Sequence, residues 1–181
     1  HPNNTAKIID VPNLDVEVIR APVKDGIGKY LKDVIDVQDP NGSDVVDIIK
    51  SSGADILINY LPVGSTDATK YYAQCALDSN VGFINSMPVF IASTPEWQAK
   101  FIDKGLPIAG DDVMSQLGAT VVHKSLIKLF VSRGVKVDET YQLNIGGDAD
   151  FLNMLEESRL VDKRESKTSA VRAMSPYPIP T

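Results

Sequence analysis

Cysteine is almost missing: one residue, Cys75, in a chain of 181. A lone thiol excludes an internal disulfide and any cysteine-rich metal site, and Cys75 falls in an apolar helical stripe that reads as core. There are only two histidines. His123 sits on a helical stretch without an acidic or Cys/His partner set, so it reads as structural and no metal is expected. Basic residues are outnumbered, 18 against 24 acidic ones, for a net charge of −6. A nucleic-acid-binding face needs clustered lysine and arginine, so none is expected. No apolar run approaches the ~20 residues that span a bilayer, and no membrane partner is expected. The opening His1-Pro2-Asn3-Asn4 has no leader pattern and reads as an internal starting point, which points to a cytoplasmic protein. A complete glycine-rich dinucleotide fingerprint is lacking too. The G-x-G in "DGIGKY", near residue 27, is a weak signal alone.

Apolar material is present in quantity, 43% of the chain, enough for one globular domain or one and a half. Short apolar runs alternate with amphipathic stretches. "DVEVIRAP" (15–22), "DILINYLP" (55–62), "VGFINSM" and "LPIAG" read as strands. "SDVVDIIKSSG" reads as a helix with Ser43 as its cap and Gly53 as its stop, burying Val45, Val46, Ile48 and Ile49. "STDATKYYAQCALDSN" reads as a second helix capped by Ser65, and "TPEWQAKFIDKG" as a third with Pro95 near its first turn. This order predicts a mostly parallel sheet covered by helices. After Gly110 the rhythm changes. A longer helix is predicted from about 115 to 132, with Ala119, Val122, Leu126, Leu129 and Phe130 as its apolar stripe. "VDETYQLNIGG" reads as a strand, and "DFLNMLEESRL" as a helix that Asp150 could cap.

In an open parallel sheet, ligands bind beyond the carboxyl ends of the strands. Three such ends stand out. "NYLPVGST", Asn59 to Thr66, offers an amide and a helix N-terminus whose free N–H groups suit an anion or a polar cofactor edge, though an ordinary strand-to-helix turn explains the same letters. "NSMPVF" puts Asn85 and Ser86 in the equivalent place. "GDDVMSQLGAT" puts Asp111 and Asp112 at a strand end, before a small-residue helix start where Ser115, Gln116 and main-chain N–H groups could surround a phosphate. The two carboxylates would repel that phosphate unless cations intervene, or they are only caps. Lys163 and Lys167, four apart in "DKRESKT", are candidate cations on one helical face; a solvated charged face accounts for them equally. "NIGGDAD" (144–150) has two glycines that permit close approach to a flat ligand and acids that could accept hydroxyls or pair with the lysines. A tight turn would use the same residues.

Taken together, "NYLPVGS", "NSMPVFIAS", "GDDVMSQLGAT" and "YQLNIGGDADFLNMLEESRL" followed by "SKT" are far more specific than any one alone. In this order and spacing they resemble the bacterial and archaeal type of myo-inositol-1-phosphate synthase, and "NNTAKIIDV" and "DGIGKY" share the likeness. The resemblance covers essentially the whole chain. It implies a central portion of such a protein: residues 1–110 as the later part of a Rossmann-like NAD-binding domain, and 111–181 as the start of an α+β catalytic and tetramer-forming domain. The implied activity is NAD-dependent conversion of D-glucose 6-phosphate to 1L-myo-inositol 1-phosphate. NAD would accept a hydride from the sugar, the resulting ketone would permit enolisation and intramolecular aldol closure, and the hydride would return. The implied partners are glucose 6-phosphate and further copies of the chain in a homotetramer.

The resemblance also implies residue roles. Ser115, Gln116, Leu117, Gly118 and Asn144 would seat the substrate phosphate. Lys163 would shuttle a proton, Lys167 would stabilise phosphate or enolate charge, and Asp150 would orient Lys163. Asp112 would touch the cofactor near its nicotinamide end. Asn59, Tyr60, Leu61, Pro62, Ser86, Gly147, Asp148 and Ala149 would line the rest of the cofactor. The chain departs from the pattern at Met114, where the family usually has lysine, at Asp148, commonly asparagine, and at Glu165, usually apolar. Met114 favours the alternative of a catalytically silent homologue that binds NAD or sugar phosphate. A Rossmann oxidoreductase with net hydride transfer is the other alternative.

Overall fold

The computed structural model describes residue 12 and residues 14–37, 44–114 and 117–180. Its sheet has three parallel strands in chain order: β1 (Ile56–Asn59), β2 (Gly82–Asn85) and β3 (Ile108–Ala109). The expected strands at 55–62, 81–87 and 106–110 are therefore present, trimmed at their ends. Helices α1 (Val45–Ser52), α2 (Thr66–Ser79) and α3 (Pro95–Asp103) alternate with them. Strand β2 lies between the other two, and Gly82, Phe83 and Asn85 are buried, as a central parallel strand requires. Around it pack Val45 and Ile49 of α1, Ala73, Cys75, Ala76 and Leu77 of α2, and Phe101 of α3. The Phe83 and Phe101 rings stack with centroids 6.4 Å apart.

Local chemistry sets the ends of these helices. The Asp44 carboxylate accepts from the N–H groups of Val46 and Asp47, and Gly53, at φ 69°, closes the other end of α1. Ser43, the expected cap, lies outside the described residues, as does "NNTAKIIDV". Ser65 precedes α2 but gives it no side-chain cap.

A second group of elements follows β3. Helix α4 (Ala119–Ser132) packs on α6 (Val161–Arg172), with the short α5 (Ala149–Asn153) and a single 3₁₀ turn at Glu157–Arg159 between them. Ile127, Val171 and Ile179 form a small core with Val131, Val137, Met174 and Tyr177. The proline-rich tail closes it: Val137 N–H donates to the Tyr177 hydroxyl, Thr140 N–H to the Pro180 carbonyl, and Arg172 to the Ile179 carbonyl. Among the described residues, no helix is long and apolar enough to cross a membrane.

Five expectations are corrected. Residues 15–22 and 137–147 form no strand. A strand persists only where its N–H and C=O groups find a neighbouring strand, and among the described residues the sheet is built from β1, β2 and β3. Helix α4 starts at Ala119, not near 115, behind Gly118 at φ 131°. Its buried residue is Ile127, whereas Val122, Leu126, Leu129 and Phe130 are exposed, because the face turned to α6 is the one carrying Ile127 and Val131. Asp148, not Asp150, caps α5 by accepting from Phe151 N–H.

Candidate active site

Asn59 and Asn85 end β1 and β2 side by side in register. Both are buried and fully engaged. Asn59 Nδ2 donates to Thr69 Oγ1 and to Asn85 Oδ1, while its own Oδ1 accepts from Leu61 N–H. Asn85 Nδ2 reaches the Met87 and Val89 carbonyls and Asp111 Oδ1. The Asp111 carboxylate in turn accepts from the N–H groups of Ile91, Ala92 and Ser93 and from the Ser93 hydroxyl. Asp111 thus anchors the loop leading to α3. The expectation that both aspartates face the lysines is corrected here. Main-chain donors neutralise the first, so no cation is needed beside it.

Asp112 turns the other way. Its φ of 61° is in the left-handed region, which Asp and Asn tolerate better than most residues. Its side chain, 7% exposed, lies 3.2 Å from Lys163 Nζ, and the Ser166 hydroxyl donates to it at 2.6 Å. One turn on from Lys163, Lys167 is partly buried. Desolvation first, and the charge of Lys163 second, lower its pKa, against the opposing pull of Asp112 and Asp150. The loop after β3 and the first turns of α6 therefore form one electrostatic unit.

Lys163 and Lys167 open onto a cleft of about 430 Å³ that Thr120, His123, Asn144, Arg164 and Thr168 also line. The first turn of α4 and both lysines thus share one cavity. On its far wall, His123 Nε2 lies 2.6 Å from Thr140 Oγ1, and Nδ1 lies 3.1 Å from Gln142 Oε1. Gln142 Nε2 donates to Asn144 Oδ1.

A second cleft, about 400 Å³ and mainly apolar, lies between Gly26–Val37, Pro62 and α5, with Ala149 and Asp150 in its wall. Asp150 does not hydrogen-bond Lys163; that place belongs to Asp112. It lines this second cleft and acts electrostatically on Lys167, so it stands between the two cavities. Ser86 Oγ is buried and, among the described residues, without a hydrogen-bond partner. Its main chain joins the site, since Val113 N–H donates to the Ser86 carbonyl.

The free N–H groups expected at the start of α2 are taken. Asp25, 42 residues before Asp67, accepts from Asp67 N–H at 2.8 Å and from Ala68 N–H as well. Arg159 braces the same corner. Its guanidinium donates to the Asp25 carbonyl and pairs with Glu156, and its stem packs against Gly64 so closely that a Cβ there would lie 2.8 Å from it. Asn153 Nδ2 donates to the Val63 carbonyl. A ligand that needs the Asp67 and Ala68 N–H groups would have to displace Asp25.

The remaining expected residues are spread out. Tyr60 is 76% exposed and borders a hollow with Leu57, Leu61 and Tyr72. Leu117, 86% exposed, and Gly118 precede α4. Gly147 is exposed with open space where a side chain would stand, and Asp148 is committed to its cap. Ser115 and Gln116 lie outside the described residues. Ser166, Asp25, Arg159 and the His123–Gln142 pair were not singled out as site residues. For Ser166 a signal existed: it is three residues beyond Lys163, hence on the same helical face. Asp25 and Arg159 act across long sequence separations that no local pattern reports.

Comparison with known proteins shows what the chain is similar to. A profile for myo-inositol-1-phosphate synthase matches residues 118–180. The chain is 59% identical over 169 residues to an inositol-3-phosphate synthase of Mycolicibacterium smegmatis, covering 93% of this chain and 47% of the relative. It is 51% identical over 174 residues to the Corynebacterium glutamicum protein of the same name, covering 96% of this chain and 48% of that one. The chain thus spans about half the length of the curated relatives it matches. A solved structure described as the crystal structure of Ari2 superposes with a TM-score of 0.58 at 30% identity, over 88% of this chain and 52% of that one.

Proposed function

We propose that the chain is part of a protein of the myo-inositol-1-phosphate synthase family, and that this protein converts D-glucose 6-phosphate to 1L-myo-inositol 1-phosphate with NAD as cofactor. The observation that carries this reading is the shared cleft. Two lysines, one turn apart, open onto it beside Asn144 and the first turn of α4, and a buried aspartate balances one of them.

Each residue has a task in that chemistry. Lys163 Nζ, held by Asp112, carries the proton exchanged with the reacting hydroxyl. Lys167, whose ammonium is weakened by burial, supplies positive charge and an acidic N–H to the phosphate or the enolate oxygen. Asn144 and the main chain at Leu117 and Gly118 hold the phosphate; Ser115 and Gln116 join this set through the family likeness alone. Ser166 keeps Asp112 turned toward Lys163.

The second cleft and the Ser86 hydroxyl, which does not line it, are read as two parts of an NAD site. The buried Ser86 hydroxyl has no partner among the described residues and would suit a polar cofactor group. The mainly apolar wall with Pro62, Ala149 and Asp150 suits a flat ring, and the main chain at Gly147 is open. Bound there, NAD would supply hydride removal from a sugar carbon and its later return. The mainly parallel sheet supports a Rossmann-like continuation, and a homotetramer in the cytoplasm is the proposed assembly.

The test supplies the full-length protein with glucose 6-phosphate and NAD. Inositol phosphate formed without net NADH is expected. Accumulating NADH would overturn the reading in favour of a net oxidoreductase. Binding without turnover would overturn it in favour of a silent homologue, as Met114 suggests.

A further inference from the structure

We propose that His123 is a positioning residue for the anion end of the lysine cleft: through Gln142 it sets which end of the Asn144 amide faces the ligand. Thr140, Gln142 and Asn144 are alternate residues of one segment, and their side chains are linked on one side of it. That side meets His123 of α4. The contacts form a chain, from Thr140 Oγ1 to His123 Nε2 at 2.6 Å, from Nδ1 to Gln142 Oε1 at 3.1 Å, and from Gln142 Nε2 to Asn144 Oδ1 at 2.8 Å.

Polarity fixes the order of the links. Gln142 Oε1 has no hydrogen, so His123 Nδ1 carries the proton. Nε2 then accepts from the Thr140 hydroxyl in the neutral ring, or donates to its oxygen in the charged ring; both leave Nδ1–H in place. Gln142 presents its NH2 to Asn144, whose carbonyl is thereby occupied. The Asn144 NH2 has no protein acceptor among the described residues, and Asn144 lines the cleft with Lys163, Arg164 and Lys167. It is a donor aimed where an anion would sit. The opposite tautomer, with hydrogen on Nε2 alone, would require a donor at Nδ1. Gln142 would have to flip, then Asn144, and a carbonyl oxygen would face the phosphate. The place of one proton on His123 thus decides whether Asn144 attracts or repels the ligand.

This inference rests on the reading that the cleft takes a sugar phosphate, and the test separates the two. In full-length protein, nitrogen-15 NMR should show the His123 ring protonated at Nδ1, with the signal assigned by its loss in His123→Phe. Calorimetry with glucose 6-phosphate and with inorganic phosphate should show about 10- to 100-fold weaker binding for His123→Phe and for Gln142→Leu, the loss of one hydrogen bond to a charged group. The double variant should be no weaker than either single one, and NAD affinity should be unchanged. A ring protonated at Nε2 alone would overturn the proposal. So would unaltered sugar-phosphate affinity in both variants when the parent protein binds. If the parent fails to bind glucose 6-phosphate, the functional reading falls, and the nitrogen spectrum and phosphate affinities decide the relay by themselves.

Discussion

Replacing Asp112 by Asn isolates the charge at the centre of the site. Asparagine also tolerates the left-handed backbone at this position, φ 61°, and it keeps an oxygen for the Ser166 hydroxyl. What is lost is the pairing with Lys163. At 3.2 Å, Coulomb's law with an effective dielectric of about 20 gives about 5 kcal/mol of attraction. Desolvating the two heads offsets much of that. Lys163 is 21% exposed, so water reaches its ammonium once the partner is neutral. The net coupling should fall between an exposed pair, at most about 1 kcal/mol, and a fully buried one whose rupture costs about 3–5 kcal/mol. We expect about 1–3 kcal/mol. The assay is a double-mutant cycle of Asp112→Asn and Lys163→Met, by urea unfolding read from the fluorescence of the single tryptophan, Trp97. Trp97 packs against the sheet core. Additivity within about 0.5 kcal/mol would refute the coupling, and with it the claim that Asp112 balances Lys163.

Other outcomes follow from the same structure. Lys167 is held below the ordinary lysine value of 10.5 by burial and by Lys163. Such a group costs stability while both folded and unfolded states bind the proton, and the cost is relieved as pH rises through the folded pKa toward 10.5. Lys167→Met should therefore be more stable at neutral pH and lose the parent's alkaline gain, measured by urea midpoints across that range. Asp25→Ala should destabilise by about 1–2 kcal/mol, the usual loss for a helix N-cap, and Ser65→Ala by almost nothing; equal effects would show that Ser65 is the true cap. Asn85→Leu should cost about 2–4 kcal/mol, because it strips donors from Asp111 and an acceptor from Asn59 in a buried network. A midpoint close to the parent's would mean that water replaces the amide.

The sequence exposed the alternation of strands and helices through features that act locally. Pro62 stops β1, Gly53 takes the left-handed turn after α1, and Pro95 opens α3. The pairing of Lys163 and Lys167 on one face was equally visible, since helical spacing alone requires it. Two features hid the rest. Residues 15–22 and 137–147 have strand-forming composition but no neighbouring strand, and composition does not report a missing partner. Adjacent aspartates look alike in a string of letters, whereas the left-handed turn at Asp112 sends them to different tasks. The stripe on α4 misled for a related reason: both faces of that helix are apolar, and only the position of α6 reveals which one is covered.

That turn at Asp112 has a mechanical consequence. One carboxylate grips the main chain of 91–93 and its neighbour grips the head of α6, with a single peptide bond between their α-carbons. A ligand that pulls on Lys163 should therefore strain the loop that leads to α3, and a shift of that loop should re-aim the ammonium.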